Sequence, residues 1–266
     1  MNLFKILITL PRFVRLFLKS RSMTKKIAKD PNYITEEFRY IWLQKRARYI
    51  LWLMNIKLIV HDEKNWLDKG CLVIANHQSN VDPLIIFALN NFEKTSPCAF
   101  IAKKELNDSR LYRRFIHLID VLLLDRKNPR QAMEVIQQAN ELIRVPRSMV
   151  VFPEGTRSHT QEMGEFHSGT FKIAQKAHCP IIPVSIIDSY KIKNKNFKKS
   201  GKKYITVVFN EPLKPSKFIE KDTKFIANIV KSSIQKGIDR YQDKNNGKEY
   251  KKYKVNVKDK TKENVI

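Results

Sequence analysis

Three cysteines in 266 residues, Cys71, Cys98 and Cys179, are too few and too scattered for a disulfide framework or a zinc spacing. Such a set suits a reducing cytoplasmic setting better than secretion, and burial as small apolar side chains is the expectation for all three. Glycine is also scarce, with seven in all, and no Gly-rich phosphate loop or internal repeat occurs. No run approaches the roughly 20 uncharged apolar residues that a membrane-spanning helix needs. The apolar N-terminal stretch lacks the unbroken centre and small-residue cleavage site of a secretory signal. Acidic residues number 26 against 51 Lys and Arg, a formal net charge of +25. Residues 191–266 alone hold 22 basic and 8 acidic side chains, a net +14. Nucleic acid and an anionic membrane surface are the two partners such an imbalance suits, although a Lys-, Asn- and Ile-rich composition carries positive charge on its own account.

Hydrophobic patterning favours the membrane. Leu3 to Lys19 holds eleven large apolar residues, and its four cations, Lys5, Arg12, Arg15 and Lys19, fall within an arc of roughly 80° at about 100° per residue. That is the pattern of a helix lying in the membrane interface, bent at Pro11, rather than of one packed on its own domain. Residues 36–54 interleave Phe38, Tyr40, Trp42, Tyr49 and Trp52 with Arg39, Lys45, Arg46 and Arg48, as suits the headgroup layer. The same interleaving could stack RNA bases, but no recognition module accompanies it, so no nucleic-acid partner is expected.

From residue 56 the chain alternates. Strands are predicted at Ile56–Val60, Cys71–Ala75, Cys98–Ala102, Val121–Leu124, Met149–Phe152, Ile181–Ile187 and Tyr204–Phe209. Helices are predicted at 83–91, 104–117, 129–144, 169–178 and near 222–241. Short apolar strands alternating with helices predict an α/β fold, a mostly parallel sheet of about seven strands flanked by helices and preceded by interfacial helices. The expected organisation is 1–55 as membrane-anchoring helices, 56–241 as the α/β domain, and 242–266 as a lysine-rich tail, disordered or apposed to the membrane.

Two stretches carry chemistry. Asn76-His77-Gln78-Ser79-Asn80-Val81-Asp82-Pro83 follows one predicted strand. Five helical steps would hold His77 and Asp82 roughly 140° apart, so the chain must turn between them, with Asp82 as N-cap and Pro83 opening the helix. At the carboxyl end of a strand, where open α/β sheets bind ligands, a histidine oriented by a carboxylate is a general base for a hydroxyl. Phe152-Pro153-Glu154-Gly155-Thr156-Arg157-Ser158 follows another strand, and its arginine suits a bidentate grip on phosphate. Downstream, Phe166-His167-Ser168-Gly169-Thr170-Phe171-Lys172 opens a helix whose free N–H groups and Lys172 could add to an anion site. His117, His159, His167 and His178 show no metal-ligand spacing and read as ordinary polar or capping residues, so neither a metal nor a metal-dependent phosphoesterase is expected.

In order, N-H-x-x-x-x-D, a strand ending in Asp125-Arg126, F-P-E-G-T-R-S, and Ile181-Ile182-Pro183-Val184-Ser185 resemble the four blocks of the glycerolipid acyltransferases. The nearest likeness is to the 1-acyl-glycerol-3-phosphate (lysophosphatidic acid) acyltransferases, over residues 50 to 215. The resemblance implies His77 as base and Asp82 as its orienter. It implies Glu154, Gly155, Thr156 and Arg157 as the phosphate and glycerol site, with Arg126 near it and Pro183 in the wall. His167 stands where many relatives carry lysine, which leaves phosphate grip there to Lys172 or Arg126. The expected reaction moves an acyl group from acyl-CoA or acyl carrier protein to the sn-2 hydroxyl of lysophosphatidic acid, giving phosphatidic acid, with no cofactor, at the cytoplasmic face of an anionic membrane. Backbone N–H groups near Asn76–Ser79 are expected to hold the oxyanion. Glycerol-3-phosphate or another lysophospholipid as acceptor, and a non-catalytic membrane- or RNA-binding protein, are the alternatives.

Overall fold

The computed structural model describes residues 3–91, 95–193 and 203–242; the tail expected beyond Gln242 lies outside them. All seven expected strands form: β1 (Ile56–His61), β2 (Cys71–Ala75), β3 (Cys98–Lys103), β4 (Val121–Leu124), β5 (Ser148–Val151), β6 (Ile181–Ile187) and β7 (Lys203–Phe209). They make one sheet in the order β1-β7-β6-β2-β5-β3-β4. Every pairing is parallel except that of β6 with β7. Parallel pairing brings the carboxyl ends of β2, β3, β4 and β5 to one edge. The chain leaving β2 goes to β3 on one side, and the chain leaving β5 goes to β6 on the other. The crevice between β2 and β5 is therefore a switch point, where α/β sheets bind ligands.

The sheet is buried on both faces, as near-continuous apolar strands require. Cys71, Val73 and Ala75 face one core with α2 (Glu36–Leu53) and α3 (Asp82–Leu89); Leu72 and Ile74 face the other. That second core is covered by α5 (Pro129–Arg144), α6 (Lys172–Ala177) and α7 (Thr223–Gln242). Asn128 caps α5 as expected, its side chain accepting from the Arg130 and Gln131 N–H groups. In α7, Gly237 allows close approach to the sheet. A Cβ there would lie 2.3 Å from Ser185 Oγ and 2.5 Å from Asn210 Oδ1. Asn210 Nδ2 donates to Ser185 Oγ, whose hydroxyl donates to the Ile234 carbonyl.

Two expected helices are interrupted. The span 104–117 is a 3-10 turn over Lys104–Asp108 followed by α4 (Arg110–Ile116), with Ser109 extended between them. Asn107, Asp108 and Ser109 have side chains that compete for backbone hydrogen bonds, which disfavours an unbroken helix. The span 169–178 likewise begins as a 3-10 turn over Ser168–Phe171, and α6 ends at His178 in the left-handed region.

α1 (Leu3–Lys29) continues through Pro11 and ten residues beyond the expected Lys19. Its second half packs inward through Leu16, Met23 and Ile27, while Val14 and Leu18 remain 52% and 58% exposed. Arg12, Lys19 and Lys26, seven residues apart, lie over the rings of Tyr49, Phe38 and Tyr33, so much of the basic stripe faces the α2 side. Headgroup contact is ruled out for Tyr40 and Trp42, which are buried in the same core as the sheet; Phe38 and Trp52 stay 47% exposed. Amphipathic aromatics bury equally well in a domain core, and interleaving alone does not separate the two.

The start of α2 is tied to the amino end of the sheet by polar contacts. Tyr40 Oη donates to the Cys98 carbonyl at 2.9 Å, and Arg147 bridges Asp120 (2.7 Å) and Glu36. Burial pushes the Tyr40 phenol well above its usual range, and Asp120 adds to the shift. Tyr40→Phe strands the buried Cys98 carbonyl and is expected to cost about 1–3 kcal/mol, read as a lower urea midpoint with an unchanged slope.

Candidate active site

Asn76 ends β2 by extending the sheet with its side chain. Its Nδ2 donates to the Ile186 carbonyl (2.9 Å) and its Oδ1 accepts from the Ile186 N–H (2.7 Å). That fixes the exit direction of β2, and the next residue is His77. The His77 peptide is clamped from the β5 side: its N–H donates to Glu154 Oε1 at 2.7 Å, and its carbonyl accepts from the Ser158 N–H at 2.9 Å. The ring lies against Phe152, with centroids 4.4 Å apart.

His77 Nδ1 lies 2.9 Å from Asp82 Oδ2, and Asp82 is fully buried. A carboxylate only accepts, so in the neutral ring Nδ1 carries the hydrogen and Nε2 keeps its lone pair. Among the described residues, no hydrogen bond reaches Nε2. The expected turn is present, but Asp82 does not cap its own helix. Its Oδ2 reaches back to the Gln78 and Ser79 N–H groups, each at 2.7 Å, and Val81 holds the cap position with no side-chain bond. The physical reason is proximity: the loop 77–79 curls over the carboxylate and offers donors that a burial site demands.

The same bonds overturn the oxyanion expectation for this loop. The N–H groups of His77, Gln78 and Ser79 are all committed to carboxylates, so they do not point at a reacting carbonyl.

Glu154 is buried, and both its oxygens are used: Oε1 by the His77 N–H and Oε2 by the Gly164 N–H at 2.8 Å. It joins the β2 loop, the β5 loop and the segment leading to His167. Burial raises its pKa above the ordinary value, against the lowering effect of the two backbone bonds. Gly155 adopts φ +70, and a Cβ there would come within 3.1 Å of Arg126 Nη1 and of His167 Nε2. The loop therefore needs glycine both for its backbone and for its neighbours. Arg157 is exposed and its Nη1 donates to Asn80 Oδ1. Thr156 is exposed beside it.

Arg126, after β4, thus joins the loops after β2 and β5 at one edge of the sheet. Desolvation lowers its pKa, and Glu105 opposes that effect. Two expected residues make no described contact with this cluster. Lys172 is exposed at the start of α6, and no described contact links it to His77, Arg126 or Arg157. Pro183 is buried inside β6, in register with Ile74, and its carbonyl accepts from the Asn210 N–H. His167 was expected to be an ordinary polar residue, yet it comes up against Gly155. The resemblance marks its position, where many relatives carry lysine; the fold-back comes from its N–H donating to the Pro153 carbonyl at 2.9 Å.

The cysteines are inert here. All three are buried, and burial pushes Cys71 up to about 11, Cys179 up to about 12 and Cys98 well above its usual range. Among the described residues, no group of three His, Cys, Asp or Glu side chains could hold a metal ion.

Residues 57–187 match the family described as Acyltransferase. A probable 1-acyl-sn-glycerol-3-phosphate acyltransferase of Mycoplasma pneumoniae is 32% identical over 249 residues, 91% of this chain and 93% of its own. One of Mycoplasma genitalium is 33% identical over 235 residues, covering 85% and 87%. The crystal structure of the 1-acyl-sn-glycerophosphate acyltransferase of Thermotoga maritima superposes with a TM-score of 0.65 at 24% identity, over 78% of this chain and 81% of that one. That likeness bears on the fold; the two sequence matches bear on descent. With a histidine held by a buried carboxylate at the switch point of such a sheet, the chain belongs to the acyltransferase family of these 1-acyl-sn-glycerol-3-phosphate acyltransferases.

Proposed function

We propose that this chain moves a fatty acyl group from an acyl thioester, on coenzyme A or acyl carrier protein, to the sn-2 hydroxyl of lysophosphatidic acid, giving phosphatidic acid. The observation that carries the reading is the 2.9 Å contact between His77 Nδ1 and buried Asp82, in a loop cluster that also gathers Arg126 and Arg157. His77 Nε2 takes the hydroxyl proton as the oxygen attacks the thioester carbonyl carbon, forming the new C–O bond. Asp82 stabilises the imidazolium that results. Collapse of the tetrahedral intermediate breaks the C–S bond, and the thiolate takes the proton back from His77. No metal or cofactor enters the scheme. Arg126 and the 154–157 turn bind the acceptor phosphate, where guanidinium geometry matches phosphate oxygens.

The acceptor lives in a bilayer, so the enzyme works at a membrane surface, on our reading the cytoplasmic one. No described helix is long and apolar enough to cross a membrane, whereas α1 exposes Val14, Phe17 and Leu18 beside exposed Arg15 and Lys19. Replacing both Val14 and Leu18 by aspartate is expected to weaken binding to phosphatidylglycerol-containing vesicles by at least about 10-fold, since each buried side chain is worth roughly 1.5–3 kcal/mol. Sedimentation with the vesicles reads the effect, and unchanged binding would remove α1 from the interface.

The reaction assignment is tested with purified protein and three acceptors, lysophosphatidic acid, glycerol-3-phosphate and lysophosphatidylcholine, each against acyl-CoA and acyl carrier protein donors. Acylation of lysophosphatidic acid is expected. Turnover of glycerol-3-phosphate or lysophosphatidylcholine in its place overturns the acceptor, and the donor arm decides the thioester.

A further inference from the structure

We propose that Phe152 is a positioning residue for His77: its ring fixes the plane of the imidazole, and with it the direction in which Nε2 meets the acceptor hydroxyl. The proposal rests on the acyltransferase reading above and concerns how its base is aimed.

One hydrogen bond does not fix an imidazole. The 2.9 Å contact from His77 Nδ1 to Asp82 Oδ2 anchors a single ring atom. The χ2 torsion of histidine is broad, so the ring can still swing about that anchor and carry Nε2 with it. The Phe152 ring lies beside the imidazole with centroids 4.4 Å apart and planes inclined by 32°. A flat, apolar surface that close removes the swing on its side. Among the described residues, no other aromatic ring packs on His77. Carboxylate and phenyl thus restrain different motions of the same ring: one holds Nδ1, the other holds the plane.

The register of the sheet explains why the phenyl is there. β2 and β5 pair with Ile74 beside Val151, so one step further Ala75 stands beside Phe152. Side chains alternate between faces, and Val73, Ala75, Val150 and Phe152 all lie on the α2–α3 side. His77 follows two residues past Ala75, and the small alanine leaves the phenyl room to lean toward it. Phe152 is half-buried against that core, which steadies it. Pro153 restricts the backbone of Phe152 to extended conformations. The Phe152 carbonyl accepts from the Gly155 N–H at 3.1 Å, closing the turn behind it. The same strand exit holds the His77 peptide through Glu154 and Ser158, so backbone and ring of the base are gripped from one strand end.

The experiment compares the full-length wild type with Phe152→Leu, Phe152→Met and Phe152→Tyr, each alone and in a His77→Ala background. Leucine and methionine are apolar and near in size but have no flat face, so they keep most of the packing and lose the restraint. For acylation of lysophosphatidic acid, kcat is expected to fall about 10- to 100-fold in both, the scale of a misaimed reacting group, with both KM values within about threefold. Phe152→Tyr, which keeps the ring, stays within about threefold of the wild type. In the His77→Ala background the same changes lower residual turnover no further, because a residue acting through the imidazole has nothing left to aim. NMR of isotope-labelled histidine gives a readout independent of turnover. Protons beside an aromatic face resonate upfield, so the ring signals missing from His77→Ala should lie upfield in the wild type and move downfield in Phe152→Leu. Wild-type kcat in both Phe152→Leu and Phe152→Met overturns the proposal. An equal loss in the His77→Ala background does so too, as does a Phe152→Tyr as slow as Phe152→Leu. Upfield His77 signals that move in Phe152→Leu, in a wild type without acyl transfer, would instead overturn the reaction assignment and leave the ring contact standing.

Discussion

His77→Ala is expected to lower acyl transfer about 10²–10⁴-fold, the usual worth of a positioned general base, while lysolipid and membrane binding persist. The ring itself carries little of the fold. Its side chain is partly exposed, and the bonds that hold the loop come from its backbone N–H and carbonyl, which alanine keeps. Far-UV circular dichroism and the thermal midpoint should therefore match the wild type. Asp82→Asn should lose activity too, because an amide can present a donor to Nδ1 and favour the wrong tautomer. It should also lose stability, since Oδ2 accepts from the Gln78 and Ser79 N–H groups as well as facing the ring. The two changes combined should be far less than additive, as for groups acting as one unit. Activity within tenfold of wild type in His77→Ala would dismiss the histidine as base.

Glu154→Ala is expected to damage both fold and activity. It leaves two N–H groups, those of His77 and Gly164, without their acceptor. The stranded His77 donor costs about 1–3 kcal/mol and the Gly164 donor, on an exposed residue, adds little, so the thermal midpoint should fall by roughly 2–12 °C. Turnover should fall with it, because His77 loses the bond that sets its backbone. This effect differs in kind from the loss of a phosphate contact: kcat and stability move together rather than KM alone. The carboxyl also sets a pH trend. Its native pKa is raised above the ordinary 4.5, so the native state binds more protons than the unfolded chain between those two values. Its contribution to stability is greatest below about 4.5 and declines as pH rises through the native pKa. Urea unfolding across that range, in wild type and Glu154→Gln, isolates the effect; an identical pH slope in both would remove Glu154 from it.

Much of the site is legible before any fold is known. Asn76 to Pro83 and Phe152 to Ser158 each follow an apolar strand, and both loops emerge at one edge of the sheet. The turn between His77 and Asp82 is legible as well, because helical geometry forbids the pairing otherwise. Roles within the loops are less so. Glu154 reads as a ligand for substrate, yet its oxygens are taken by the N–H groups of residues 77 and 164. Lys172, four residues from Ser168, reads as part of an anion site; it is exposed at the start of α6, with no described contact to His77, Arg126 or Arg157. His167, which reads as an ordinary polar residue at a position where many relatives carry lysine, lies against Gly155.

Period, capping residues and turn chemistry are properties of neighbouring residues, so the sequence alone determined seven strands, their alternation with helices and the two loops that bear the chemistry. Which loops meet depends on strand order and register, set by burying both faces of the sheet over separations of about a hundred residues. Only the tertiary structure decided that Asn76 would bond to Ile186, Asp82 turn back on its own loop, and Arg126 and His167 share one glycine. A side chain's partners are fixed by what burial brings beside it, and that is not written in its immediate neighbours.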